Sequence, residues 1–497
     1  MISTQDQREP LTSELDAYQG YLGLPPLISI ESMARAVSQG LTVAESVERL
    51  KRVHWSLKWL HRIFMCRLAS LPIYEIKMAF SLHSYYCAEH VAAIAKRVGE
   101  MRQPPYGLDS SPSDALDLFF SEILSSPTEE VLIVGIYSHA LPAVVRSIDR
   151  LMRDTNKLFD HPTYRICRLM LLEMQEAQAY GEKAVDCLLD DLKRHQLNEW
   201  TVTLERILQS AGDLDGTSTP SDEQIEPMFS KVQYKYEPTP CRDERFRDPY
   251  NMGVNAEAML FDAKIPPLPK SIMLYFKRMR EIDVPEMMSS ILVESVDRPW
   301  DFYLDMTRQL WDEARHAMMG EVGFASLGID WTQIPFNFTW SLMLNTRLTV
   351  TERHAVLFCI EQGLMPKKTG KKFEWEIAVD SKNRLAILIQ DYDWADEILH
   401  ARIGRTWLVP EFGSQQKAMA VGDEAWSIVL VDWCEWKREG LTTHRNWWPD
   451  IYRQACLSWG TEPDPDILQY STSYEHARAD LKEISPKVSA TAKQTKT

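Results

Sequence analysis

The sequence predicts an all-α protein. Long stretches carry apolar residues at spacings of three and four, the period of a helix with one buried face. Strand signals are sparse, since no sustained apolar/polar alternation is bounded by Asn-Gly or Asp-Gly turns. Breaks rich in proline and glycine divide the helical stretches into two blocks.

The first block is expected within 1–210. Helices are predicted over 43–71, 73–101, 114–125, 128–154 and 162–195, and Gln103-Pro104-Pro105-Tyr106-Gly107 ends the second. His161-Pro162-Thr163 opens the last with proline in the first turn, where a missing N–H costs nothing. Pro142 should kink the 128–154 helix. Residues 211–268 are proline-rich and read as a linker or a surface-wrapping segment. Tyr234, Tyr236, Phe246, Tyr250 and Phe261 favour wrapping, because aromatics at that density pack on something. The second block is expected over 269–410, with helices at 270–296, 300–326, 350–364 and 383–406. A Trp-rich helical extension over 411–485 and a disordered Lys/Ser/Thr/Ala-rich tail, 486–497, follow.

With 497 residues the chain has room for two or three domains. A formal charge of −16 argues against a nucleic-acid binder. The basic run Lys367-Lys368-Thr369-Gly370-Lys371-Lys372 lacks the glycine pattern of a phosphate cradle and reads as a solvated loop. Eight scattered cysteines form no Cys-x-x-Cys and read as core thiols in a reducing compartment. No apolar signal region opens the chain, and no uninterrupted apolar run is long enough to span a bilayer. The expected location is the cytoplasm, with no membrane and no nucleic acid among the partners.

Of twelve histidines, only His316 and His400 have Glu at i−3, and both of those glutamates, Glu313 and Glu397, are preceded by Asp (Asp312 and Asp396). Residues three apart share a helix face, so each motif points a carboxylate and an imidazole the same way. Two such motifs facing each other are half of a dinuclear metal site in a four-helix bundle. Two more carboxylates are then needed. Antiparallel helices place residues opposite when they lie equally far from the turn. Glu286 and Glu313 are nearly symmetric about Asp297-Arg298-Pro299-Trp300, and Glu361 and Glu397 about Asp380-Ser381-Lys382. Glu281 and Glu294 compete with Glu286. Glu294 lies too close to the turn, and Glu281 would leave a helix kinked at Pro285 between ligand and turn, so Glu286 is preferred.

On Glu286, Glu313, His316, Glu361, Glu397 and His400, the stretch 270–406 resembles the ferritin-like di-iron carboxylate proteins, which include oxygenases, fatty-acyl desaturases and ribonucleotide reductase small subunits. The resemblance implies a ferritin-like four-helix bundle, two Fe ions (or a Mn/Fe pair) and O2 as co-substrate. Those six residues would be the ligands. Asp312 and Asp396 would orient the histidines. Asp393, one turn before Glu397, is either an extra ligand, as in some branches, or a solvated carboxylate. Four carboxylates neutralise two Fe(II) ions in a buried site. The implied activity is an O2-activating oxidase or oxygenase on a small organic substrate, with electrons from a reductase, a ferredoxin or the substrate itself; a homodimer is compatible. The alternative is a non-catalytic tandem helical scaffold in which the Asp-Glu-x-x-His pairs are polar core networks. The first block reads as a degenerate duplicate: Tyr86–Val91 overlays loosely on Asp312–Ala317, but no histidine there follows a glutamate by three. Its Glu75, His83, Glu89, His90, His139, Glu173 and Glu176 are assigned structural roles.

Overall fold

The computed structural model describes residues 15, 17–102, 107–221, 223–430 and 433–474, with backbone alone at 339, 433 and 434. The proline break at 103–106 and the tail at 486–497 lie outside the described residues. Within them the protein is helical and contains no strand. Two compact units divide it: Met1–Ile63 with Tyr86–Tyr234, and Phe64–Tyr85 with Lys235–Thr497.

Helices α1 (Val43–Leu68) and α2 (Tyr74–Glu100) each run through the unit boundaries. The first unit adds α3 (Asp114–Leu124), α4 (Glu129–Asp154), α5 (His161–Leu188) and α6 (Asp191–Ser210). The expected 162–195 helix is interrupted because Asp190 caps a new one, its side chain accepting from Lys193 N at 2.8 Å. Pro142 is accommodated by a widened π turn over Gly135–Ala140, which absorbs the carbonyl that the ring would strike. α4 is long and apolar enough to cross a membrane by length and composition, but most of that length is buried inside the protein, as in a core helix. The first part of the 211–268 segment is pinned rather than free. Buried Glu122 of α3 accepts from the backbone N–H groups of Met228, Phe229 and Ser230 at 2.8–3.1 Å.

The second unit contains α7 (Ala256–Phe261), α8 (Pro267–Arg280), α9 (Asp283–Glu294), α10 (Trp300–Ser326), α11 (Thr339–Arg347), α12 (Val350–Gly363), α13 (Lys371–Ser381), α14 (Arg384–Trp407), α15 (Gln415–Val429) and α16 (Trp448–Trp459). α10 packs on α8, α9 and α14, and α14 packs in turn on α12 and α13. The helix expected over 270–296 breaks at Glu281 and Ile282. Pro285 explains the position. It has no N–H, and its ring clashes with the carbonyl of residue i−4, which is Glu281. α8 nonetheless lies very close to α10: a Cβ on Gly320 would sit 2.2 Å from Met279 N. α11 and α13 lie outside the helices expected from the sequence, and α13 begins within the basic run read as a loop.

Residues 235–261 wrap this unit. Phe246 packs on Tyr74 and Trp331, and Tyr250 packs on Phe338 and Trp436. The Trp-rich extension belongs to the same core, with Trp447 and Trp448 buried and Trp448 Nε1 donating to Ile467 O at 2.8 Å. By their contacts 64–85 and 235–474 belong to one compact unit, in which aromatics and ion pairs of the two stretches close on one another. Cys66, Cys87, Cys167 and Cys456 are buried thiols, whereas Cys187 and Cys241 are exposed.

In the first unit, burial, with Lys58 adding repulsion, holds His54 at about 4 and His61 at about 3 against the ordinary 6.5. Both are therefore neutral when folded. Unfolding frees them to take protons, so their contribution to stability is complete above pH 6.5 and falls as pH drops toward 4. Each should cost about 1.4 kcal/mol per pH unit across that window. In urea titrations followed by circular dichroism, His61→Leu is expected to flatten the acid slope. An unchanged slope would show that the histidine is not the source.

Candidate metal centre

α10 and α14 bury polar stripes where amphipathic helices bury apolar ones. Gln309, Glu313 and His316 on α10, and Gln390, Asp393, Glu397 and His400 on α14, are all at most 2% exposed. Spacings of three and four put each set on one helix face. Glu361, near the C-terminal end of α12, reaches the same point, and so does Glu281 from the break between α8 and α9.

These side chains form two overlapping groups. Glu281, Glu313, His316 and Glu397 bring one ligand atom each within 4.8 Å of one another, and so do Glu313, Glu361, Glu397 and His400. Glu313 and Glu397 belong to both, and the two imidazole centroids are 5.9 Å apart.

The two helices orient each other's histidines. His316 Nε2 lies 3.2 Å from Asp396 Oδ2 and His400 Nε2 lies 3.3 Å from Asp312 Oδ2, so the aspartate before each motif holds the imidazole of the other. Arg315 ties the pair together by donating to both Asp312 and Asp396. With Nε2–H donated outward, each Nδ1 turns inward. His316 Nδ1 lies 3.4–3.7 Å from Glu281, Glu313 and Asp393, and His400 Nδ1 lies 3.1 Å from Glu313 and 3.6 Å from Glu397.

Five of the six expected ligand residues thus converge, and the sixth does not. Glu286 is fully buried elsewhere, where Lys77, Arg242 and Ser341 take up its oxygens. Glu281 stands in its place. Hairpin symmetry sets height along a helix but not rotation about its axis. The break at Glu281 also resets the helical phase between the two residues.

Asp393 is neither solvated nor part of either group. It accepts from Lys371 Nζ at 2.8 and 3.1 Å and touches Arg278. Lys371 corrects a second expectation. The basic run was read as a solvated loop, yet Lys371 is 1% exposed at the start of α13 and also lies 2.9 Å from Glu397. Lys371 and Arg278 carried no signal in the sequence as site residues. For Glu281 the signal was Pro285 four residues on.

The cluster is short of positive charge. Carboxylates 281, 312, 313, 361, 393, 396 and 397 outnumber Arg278, Arg308, Arg315 and Lys371 by three, a deficit that protons on His316, His400 and Glu361 make up when no cation is bound. Burial together with Glu397 and Glu313 raises the Glu361 carboxyl well above its ordinary range. Burial opposes ionisation of Glu397, but Lys371, Glu361 and His400 outweigh it and hold that carboxyl low. Burial also disfavours the charged imidazole of His316, yet Asp396, Glu281 and Glu313 push it up to about 10. Five atoms aimed into the cluster have no hydrogen bond: Nδ1 of His316 and His400, and Oε2 of Glu281, Glu361 and Glu397. Buried polar atoms are rarely left so. Carboxylate oxygens and imidazole nitrogens in these two groups fit a pair of divalent metal ions.

The first unit brings together His90 and Glu173, 2.7 Å apart, which is an ion-pair geometry rather than a ligand group. No protein-family model, curated protein or solved structure matches the chain, so the reading of the site rests on this geometry.

Glu286→Ala would strand Lys77 and Arg242 in the core. It is expected to cost about 3–5 kcal/mol, seen as a lower urea midpoint. Glu281→Ala, whose cationic neighbours keep Asp393, should cost clearly less. Equal losses would contradict the separation of the two glutamates.

Proposed function

We propose that Glu281, Glu313, His316, Glu361, Glu397 and His400 hold two metal ions, with Glu313 and Glu397 shared, and that the protein is an O2-activating di-iron oxidase or oxygenase acting on a small organic substrate. The observation that carries this reading is the set of five buried ligand atoms, none with a hydrogen bond, converging from four chain segments. The order of those segments also supports a ferritin-like arrangement: a lone glutamate, Glu-x-x-His, a lone glutamate, Glu-x-x-His. A Mn/Fe pair would use the same ligand types.

When bound, the metal pair supplies the reduction of O2 to a level able to oxidise an organic substrate. The protein's own part is positional and electrostatic. Asp312 and Asp396 fix the imidazole tautomers and raise the basicity of Nδ1. The buried glutamates offset the charge of two divalent ions. Val284, Met287, Leu357 and Ile360 form an apolar wall beside the glutamates and limit water there. Electrons would come from a reductase, a ferredoxin or the substrate.

A second reading has one observation in its favour. Lys371 and Arg278 already neutralise part of the cluster, as they would in a purely structural polar core. Metal analysis separates the two. Protein given anaerobic Fe(II) is expected to carry two ions per chain and to develop an ultraviolet charge-transfer band in air. Glu313→Ala and His400→Ala should lose the iron while keeping the helical circular dichroism spectrum. Wild type that takes up no metal, or either variant retaining two ions, would overturn the di-iron reading.

A further inference from the structure

A cavity of about 190 Å³ adjoins the cluster. Its apolar lining is Val284, Met287, Trp340, Leu357, Ile360 and Leu364. Trp340 and Ile360 also line a neighbouring space of about 250 Å³, together with Trp426, which stacks on Trp340 at 4.1 Å. The two spaces adjoin, with Trp340 and Ile360 in the boundary between them.

The polar lining sets four cations, Lys277, Arg278, Arg280 and Lys371, among carboxylates, and most of their charges are matched. Lys277 pairs with Glu374, and Arg280 pairs with Glu257 and Tyr474. The remaining two, Arg278 and Lys371, are differently placed. Arg278 is 1% exposed, its Nε has no hydrogen bond, and its Nη2 lies 2.9 Å from Glu281. Lys371 is held by Asp393 and Glu397.

This inference rests on the dinuclear reading. If two divalent ions engage the four glutamates, those charges cancel. Arg308 and Arg315 balance Asp312 and Asp396. Arg278, Lys371 and Lys277 then share two carboxylates, Asp393 and Glu374 (Glu374 pairs with Lys277 and lies 3.9 Å from Arg278), which leaves one buried positive charge beside an apolar cavity. A buried charge without a partner is costly. We infer that the substrate is a small monocarboxylate with an apolar tail, its acid group held at Arg278 and Lys371 and its tail lying along Met287, Leu357 and Ile360 toward Trp340.

The test is calorimetric and needs no turnover. Hexanoate, hexanamide and acetate are titrated into the full chain, first metal-free and then loaded with Fe(II) under anaerobic conditions, with the iron content measured on the same samples. Loaded protein is expected to bind hexanoate at least ~10-fold more tightly than hexanamide, the margin of about 1.4 kcal/mol that a single charge-assisted contact supplies. Acetate should bind weakly for want of a tail. Metal-free protein should bind hexanoate poorly, because Glu281 and Glu397 then occupy the two cations. Ile360→Trp, which fills the tail space, is expected to lose hexanoate binding while retaining two ions per chain. Lys371→Met should erase the preference for acid over amide. Two ions bound with hexanamide or acetate equal to hexanoate would overturn the substrate class and leave the metal reading standing. No ions bound would overturn both.

Discussion

The second unit depends on the burial of four glutamates within reach of one another. Repulsion among carboxylates in a low-dielectric interior is large, and everything around them acts to offset it. Arg278 and Lys371 stand on one side, and His316 and His400 stand between the glutamates. Further out, Arg315 bridges Asp312 and Asp396. Because each aspartate holds the histidine of the opposite helix, α10 and α14 are locked in register and in rotation at once. A slip of either helix by one residue would break both contacts.

Two local features of the chain make that packing reachable. Pro285 denies α8 and α9 a continuous ladder, and the break turns Glu281 into the cluster while Glu286, five residues on, faces Lys77 and Arg242. Gly320 lets the backbone of α8 approach α10 where any side chain would collide with Met279. The site therefore needs a defect in one helix and a missing side chain on another. Both lower helix propensity, and both are compensated by contacts formed only in the folded unit.

The wrapping segment and the Trp-rich region complete the same body. Arg242, from the wrapping segment, neutralises Asp283 and Glu286 and caps the carbonyls of Phe336 and Asn337. Trp340 stacks on Trp426 and lines the cavity beside the cluster. Elements that are extended or irregular thus supply charge and aromatic surface that the long helices lack.

The all-helical class and the convergence of Glu313, His316, Glu361, Glu397 and His400 were legible in the sequence, because helical spacing is a local property and three residues apart means one face. The aspartates before each motif were legible for the same reason, although that each serves the opposite histidine is a matter of how α10 and α14 cross. Glu281, Lys371 and Arg278 were decided by tertiary structure. Glu281 depends on the rotation of one helix after a break, and Lys371 on α13 folding a basic run inward to meet Asp393. Spacing along a chain specifies which side of a helix a residue occupies. Which side faces the core, and which distant charge answers it, is settled only when the helices pack and buried charges must find partners.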